Sequence, residues 1–215
     1  RALTAGSVEQ VNVANNHFID YGEGGKKSTL AALTAEDVAY SGFGHVYVLE
    51  KDGHKIGFGG CRETVYLADT GTIRRDISAL RAVGCEVVIY SCHWGTEYAT
   101  THNKTQERMA AAAAKAGADI IIGTHPHVVQ GVSTQDGALV LWSLGNLSFG
   151  GTQEMVTFDA ALARVKLRFD PSGSYSGCSL ALVPILTSSQ AASGVNDFRP
   201  IPAEGDDAAR ILQKV

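Results

Sequence analysis

Short apolar runs alternate with helix-period segments along the first two thirds of the chain. Val8–Ala14 reads as a first strand and Gly24–Leu33 as a helix. Val46–Glu50 and Lys55–Cys61 predict a hairpin, because Asp52-Gly53 between them is a strong turn signal. Ile73, Ile77, Leu80 and Val83 fall near helical spacing, so a helix is expected over Ile73–Val83 with Gly84 ending it. Glu86–Ser91 and Asp119–Gly123 are continuous apolar runs of strand length. Between them Lys104–Ala116 is an Ala-rich helix closed by Gly117. The order helix–Gly–acid–strand–His occurs twice, as AVGCEVVIYSCH and KAGADIIIGTH, which fits two neighbouring βα units built by the same packing rules.

From Ala138 the pattern changes. Ala138–Ser143, Phe158–Phe169 and Ser179–Ile185 predict strands, with a turn at Asp170–Gly173, and this half reads as an antiparallel meander. Glu204–Val215 predicts a short surface helix capped near Gly205-Asp206. The class is therefore α/β, with an α+β second half. No low-complexity linker interrupts it, so residues 1–215 are expected to form one domain.

Composition narrows the partners. The 215 residues are 45% hydrophobic and 19% charged, which suits a packed core and excludes disorder. A net charge of −4 offers no electrostatic footprint for nucleic acid or an anionic membrane. An anionic substrate would need local positive charge, such as metal ions. No apolar run approaches the roughly 18–20 residues that cross a bilayer, and neither an anchor nor a signal peptide is visible. The chain begins with Arg just ahead of a strand, and an upstream segment is expected to be missing. The four cysteines are scattered without a Cys-x-x-Cys pair, so neither structural zinc nor a disulfide framework is expected.

The chemistry collects just after the strands. Val8–Ala14 runs into Asn15-Asn16-His17, Glu86–Ser91 into Cys92-His93-Trp94-Gly95, Asp119–Gly123 into Thr124-His125-Pro126-His127, and Ala138–Ser143 into Leu144-Gly145-Asn146. Open α/β sheets bind ligands beyond the carboxyl ends of their strands, so parallel strands would bring these tails to one edge. His and Asn donors suit divalent transition metals. Pro126 biases His125 towards extended backbone, in which His125 and His127 would face the same side. A lone His-Pro-His is more often a rigid turn; its place after a buried strand, with His93 and His17 also following strands, reverses that preference. Asp20 fits either a helix cap near Gly22 or a group orienting His17. Glu97 fits either a solvated loop charge or a site residue. His45, His54 and His102 lie away from the strand ends and read as structural or surface residues.

Val13-Ala-Asn-Asn-His-Phe-Ile-Asp-Tyr-Gly22 resembles the ANNH-x-x-D-x-G motif of CapA-type capsule-synthesis proteins for poly-γ-glutamate. Cys92–Tyr98 resembles that family's HWG-x-E-Y segment, Gly123–Val128 its GxHPH motif, and Trp142–Phe149 its YSLGNF-like strand end. Four motifs in order span roughly residues 8–150, far more specific than any one alone. The resemblance implies a calcineurin-like phosphoesterase fold, two mixed sheets packed as a sandwich between helices. It implies two divalent ions (Mn, Fe or Zn), with Asn16, His93 and His125 on one and His127 on the other. His17 becomes the substrate-facing general acid and Asn146 lines the rim. The resemblance does not settle Glu97, whose place near His93 suits a substrate-contacting or supporting role, and Asp20 stays between orienting His17 and capping the helix. The family's Gly-Asp pair and a later acidic residue precede its ANNH motif; before Asn15 this chain has only Glu9, so the missing segment is expected to carry them. Two functions follow from the resemblance. One is a cell-surface hydrolase or transferase for phosphoester or γ-glutamyl amide groups, working with other capsule-synthesis proteins. The other is a non-catalytic binder of the anionic polymer.

Overall fold

The computed structural model describes residues 2–215. In chain order it contains α1 (Ala2–Ala5), β1 (Gln10–Asn12), a 3-10 turn (Asn16–Ile19), α2 (Gly22–Ala35), β2 (Ala39–Ser41), β3 (Tyr47–Lys51), β4 (His54–Arg62), α3 (Glu63–Ala68) and α4 (Thr72–Ala82). It continues with β5 (Val87–His93), α5 (Lys104–Ala116), β6 (Ile120–Thr124), β7 (Val129–Gln135) and β8 (Ala138–Leu144). Then come β9 (Asp159–Phe169), β10 (Tyr175–Leu186), β11 (Ile201–Pro202) and α6 (Gly205–Leu212). No described helix is long and apolar enough to cross a membrane.

Six strands form the main sheet in the order β3-β4-β5-β6-β8-β7. Its middle four strands run parallel, while β3 and β7 are antiparallel edges. Parallel strands must be covered on both faces. On one face lie α4 and α5, whose Ile73, Ile77, Leu80, Met109, Ala110 and Ala113 are wholly buried against Val88, Tyr90, Ile121 and Val140. The helix pattern ends one residue early: Val83 caps α4 and stands exposed, and Gly84 takes the left-handed conformation expected of a stop. In α5, Asn103 and Gln106 form a reciprocal capping box and Gly117 closes the other end.

The opposite face can be read from side-chain parity. A Cβ at Gly57 or Gly59 would meet Leu80 or Tyr90 on the helical side, whereas one at Gly60 would meet Asn12 of β1. His54, on the Gly60 side, stacks on Phe169 of β9 with ring centroids 3.6 Å apart. A second layer thus covers this face, made of the β1-β2 pair and the antiparallel β11-β10-β9 sheet. Outside it, α2 packs on β2 and α6 on β9 and β10. The order helix–sheet–sheet–helix is the expected one, with the second sheet divided in two.

Several local expectations change. The first strand is only Gln10–Asn12 and pairs with β2, outside the main sheet, so Asn16 and His17 arrive from the second layer. The strand from Ala138 joins the main sheet beside β6, so the antiparallel half begins at β9. At the hairpin, Asp52 and Gly53 both have positive φ, as a tight two-residue hairpin turn requires. The strand β7 escapes the pattern because register shifts around Gly131, at φ 96°, break its alternation.

One contact fixes how β5, β6 and β8 exit the sheet. Pairing of β6 with β8 stops at Ile122 and Leu141. The next carbonyl, of Trp142, accepts the buried Trp94 indole N–H at 2.9 Å, reached across Gly123. A Cβ at Gly123 would lie 2.0 Å from that oxygen and 2.4 Å from the indole nitrogen. Because the first obstacle is backbone, Gly123→Ala is expected to destabilise the fold by about 3 kcal/mol or more, at the upper end of overpacking costs. Urea unfolding measures this directly, and a loss under about 1 kcal/mol would show that the strands can separate here at little cost.

Candidate metal and substrate site

The parallel strands bring Arg62, His93 and Thr124 into register at the same edge of the sheet. The 3-10 turn after β1 adds Asn16 and His17 from the second layer. Around them lies a cavity of about 170 Å³ lined by Asn16, Arg62, Glu63, His93 and His125 among others.

His93 and His125 have ring centroids 4.5 Å apart. His93 Nε2 lies 2.9 Å from Asn16 Oδ1, and its Nδ1 is 3.1 Å from the Thr124 hydroxyl. Asn16 Nδ2 lies 3.2 Å from His17 Nε2, and His17 Nδ1 lies 2.8 Å from Asp20. Assigning protons from this network, Asp20 accepts from His17 Nδ1, which leaves His17 Nε2 to accept from Asn16. Asp20 therefore orients the imidazole; the N-cap of α2 is instead Tyr21, which makes no side-chain cap bond. Asn15 caps the 3-10 turn by accepting the His17 backbone N–H at 2.9 Å. Because this turn is helical rather than extended, Asn16 and His17 touch each other, whereas neighbours along a strand would diverge.

Beyond β6 the His-Pro-His step departs from the extended geometry expected of it. His125 has φ 97° and His127 φ 60°, so the residue before proline is not extended. Backbone of this kind costs about 1–3 kcal/mol per residue and persists only where the surroundings impose it. Tyr98, at φ 64°, holds the turn from outside by donating its N–H to the Pro126 carbonyl at 2.7 Å. The two rings still converge, with centroids 6.0 Å apart, through a kink rather than a strand. His127 Nδ1 lies 2.7 Å from Asn146 Oδ1 at the end of β8, and the Tyr98 ring is 6.0 Å from His127. Glu97 joins this side: its carboxylate and the His125 and His127 imidazoles offer donor atoms all within 4.8 Å of one another. The sequence placed Glu97 near His93; the structure gathers it with the other two histidines.

Burial holds His93 neutral, pushing its pKa down to about 3, with the nearby His125, His127, His17 and Arg62 adding to the effect. Burial also lowers His125, partly opposed by Glu97 and Glu63. Neutral imidazoles are what a metal requires. The Nδ1 of His125 is sealed from solvent with no hydrogen-bond partner. Buried polar atoms seldom stay unpaired, and a cation would satisfy this one. Nitrogen and oxygen donors of this kind suit a divalent transition metal.

The histidines outside the strand ends are structural. His54 stacks on Phe169 and bonds Glu86, His102 stacks on Trp142 at 3.9 Å, and His45 meets Tyr40 edge-on. Sequence reasoning missed Arg62 and Glu63 at the end of β4, Thr124, and the positioning role of Tyr98. A signal for the first two was present. The apolar run Ile56–Cys61 is followed by two charged residues, the same strand-then-polar pattern as its neighbours, masked by its place as the second arm of a hairpin.

Comparison with known proteins agrees with this architecture. Residues 1–151 match the family described as "Bacterial capsule synthesis protein PGA_cap". The chain is 32% identical over 190 residues to "PGA biosynthesis protein CapA" of Bacillus subtilis, covering 77% of this chain and 48% of that one. It is 30% identical over 193 residues to "Capsule biosynthesis protein CapA" of Bacillus anthracis, covering 78% and 46%. The chain thus spans about half the length of the curated relatives it matches. Among solved structures, the "Putative 5'-Nucleotidase from Staphylococcus aureus in complex with alpha-ketoglutarate" superposes with a TM-score of 0.55 at 16% identity, over 93% of this chain and 40% of that one, a likeness of fold alone. With a calcineurin-like α/β fold and a family match over most of its length, the chain belongs to the CapA-type bacterial capsule synthesis family.

Proposed function

We propose that the site holds divalent metal and carries out metal-dependent hydrolysis or group transfer on a phosphoester or γ-glutamyl amide during capsule polymer synthesis at the cell surface. The supporting observation is the convergence of Asn16 from the 3-10 turn, His93 from the end of β5, and His125 and His127 from the segment after β6, with one buried imidazole nitrogen left without a partner. In this reading Asn16, His93 and His125 hold one ion of the Mn, Fe or Zn type, and His127 holds a second with Glu97 beside it. Metal bound there would activate a water and neutralise charge developing on the leaving atom.

This chain's own groups do the rest. Asn146 Oδ1 accepts a hydrogen bond from His127 Nδ1–H, so the opposite ring nitrogen faces the site. Asp20 holds the His17 ring and its tautomer. His17 is exposed beside Asn16, which lines the cavity, and once it carries a second proton, on Nε2, it can give that proton to a departing alkoxide or amine. An oriented general acid typically contributes about 10²–10⁴-fold in rate.

Three outcomes are expected. Elemental analysis of the purified protein should show that His125→Ala and His127→Ala each lose most bound metal, whereas His102→Ala keeps it. Equal metal content in all three variants would remove the metal site. In turnover assays with generic phosphoesters and γ-glutamyl amides, His17→Ala should retain metal yet lose about 10²-fold or more of the rate. A metal-loaded protein inert towards both substrate classes would instead favour the non-catalytic polymer-binding role.

The third outcome concerns pH. The folded state resists protonating His93, whose folded pKa lies below the ordinary value near 6.5, so the unfolded chain binds more protons between the two. In EDTA, stability should be complete above pH about 6.5 and decline as pH falls from there towards about 3. His93→Gln should flatten that decline; thermal melts across this range that show the same slope in both proteins would contradict the origin assigned to it.

A further inference from the structure

Arg62 also lines the cavity and plays no part in the proposed metal centre. It is the last residue of β4, and its partner in register on β5 is His93. Partners in register direct their side chains to the same face, so guanidinium and imidazole share one corner of the site.

Arg62 is held without being satisfied. Its Nε is sealed from solvent with no hydrogen-bond partner, and among the described residues no carboxylate pairs with the guanidinium. Glu63, next in the chain, is engaged elsewhere, accepting the Gly95 N–H at 2.8 Å. The guanidinium carbon instead lies 5.6 Å from the centroid of the Phe43 ring, within cation–π range. Phe43 in turn packs on Phe18 at 5.1 Å, and Phe18 belongs to the turn that carries Asn16 and His17. Lys26 approaches the same ring at 5.9 Å, but its ammonium is paired with Glu23. Arg62 is thus a cation on the cavity wall, positioned by aromatic packing and without a carboxylate partner among the described residues.

An open guanidinium fork matches the oxygens of a carboxylate or a phosphate, two at a time. A chain of net charge −4 has no general attraction for such a ligand, so a local cation at the site has to supply it. We propose that Arg62 is the anion-recognition residue of this site: its guanidinium binds an oxyanion of the substrate and holds it beside His93 and His125. This rests on reading the cavity as a substrate site. The oxyanion belongs either to a phosphoryl group or to the carboxylate of a glutamyl polymer.

Anion binding can be measured without turnover. The full chain, in EDTA and again with Mn²⁺, is titrated with inorganic phosphate and separately with γ-glutamylglutamate, following heat or the rise in melting temperature. Arg62→Gln should weaken binding of the preferred anion about tenfold or more while leaving the ligand-free melting temperature near wild type. Arg62→Lys keeps the charge and the stem over Phe43 but lacks the fork, so it should lie between the two; it also serves if the Gln variant fails to fold. Tighter binding of phosphate would identify a phosphoryl ligand, and tighter binding of the dipeptide a polymer carboxylate. If both Arg62 variants bind like wild type, or wild type binds neither anion in either condition, the proposal fails. Arg62-dependent anion binding in a protein that takes up no metal would overturn the metal reading alone. Normal metal uptake with anion binding indifferent to Arg62 would overturn this inference alone.

Discussion

The site depends on a side chain that is absent. With only hydrogen at Gly123, the Trp94 indole reaches across β6 to the Trp142 carbonyl on β8 and ties together strands that are not neighbours. Trp94 directly follows His93, and Gly123 lies two residues before His125. This one buried hydrogen bond therefore sets the distance between His93 and His125. The Trp94 and Trp142 rings stack at 5.5 Å, and His102 also stacks on Trp142. The floor of the site is aromatic and dry, while its contents are polar.

That floor explains the electrostatics above it. Desolvation by burial is the first cause of the lowered pKa of both His93 and His125. Crowding imidazoles together would be unfavourable if they were charged. Keeping them neutral makes the cluster tolerable and preserves their lone pairs. Left-handed backbone at His125, His127 and Tyr98 is a further local cost, offset by the well-packed sheet behind it.

Much of this was legible in the sequence because burial leaves continuous apolar runs and turns leave glycines. The β5, β6 and β8 strands and helix α5 follow their patterns to within a residue or two. The tails after them carry His93, His125, His127 and Asn146 to the site. What the sequence hid was non-local. Nothing in Val8–Ala14 distinguishes a strand of the main sheet from one of the second layer, since the same residues suit both. The kink at His125 runs against the local preference set by Pro126, and tertiary contacts such as that from Tyr98 override it. Arg62 stands out only through the acceptor its Nε lacks, which no pattern of residue types records.

The meeting of Asn16 and His93 joins two independently hydrogen-bonded sheets at their margin. The layers otherwise touch through side chains such as Asn12 over Gly60 and His54 on Phe169, contacts that tolerate sliding far better than a backbone ladder does. Any species gripped from both sides at this margin acts as a rivet through the sandwich. The chemistry of the pocket and the shear stiffness of the molecule are then one property.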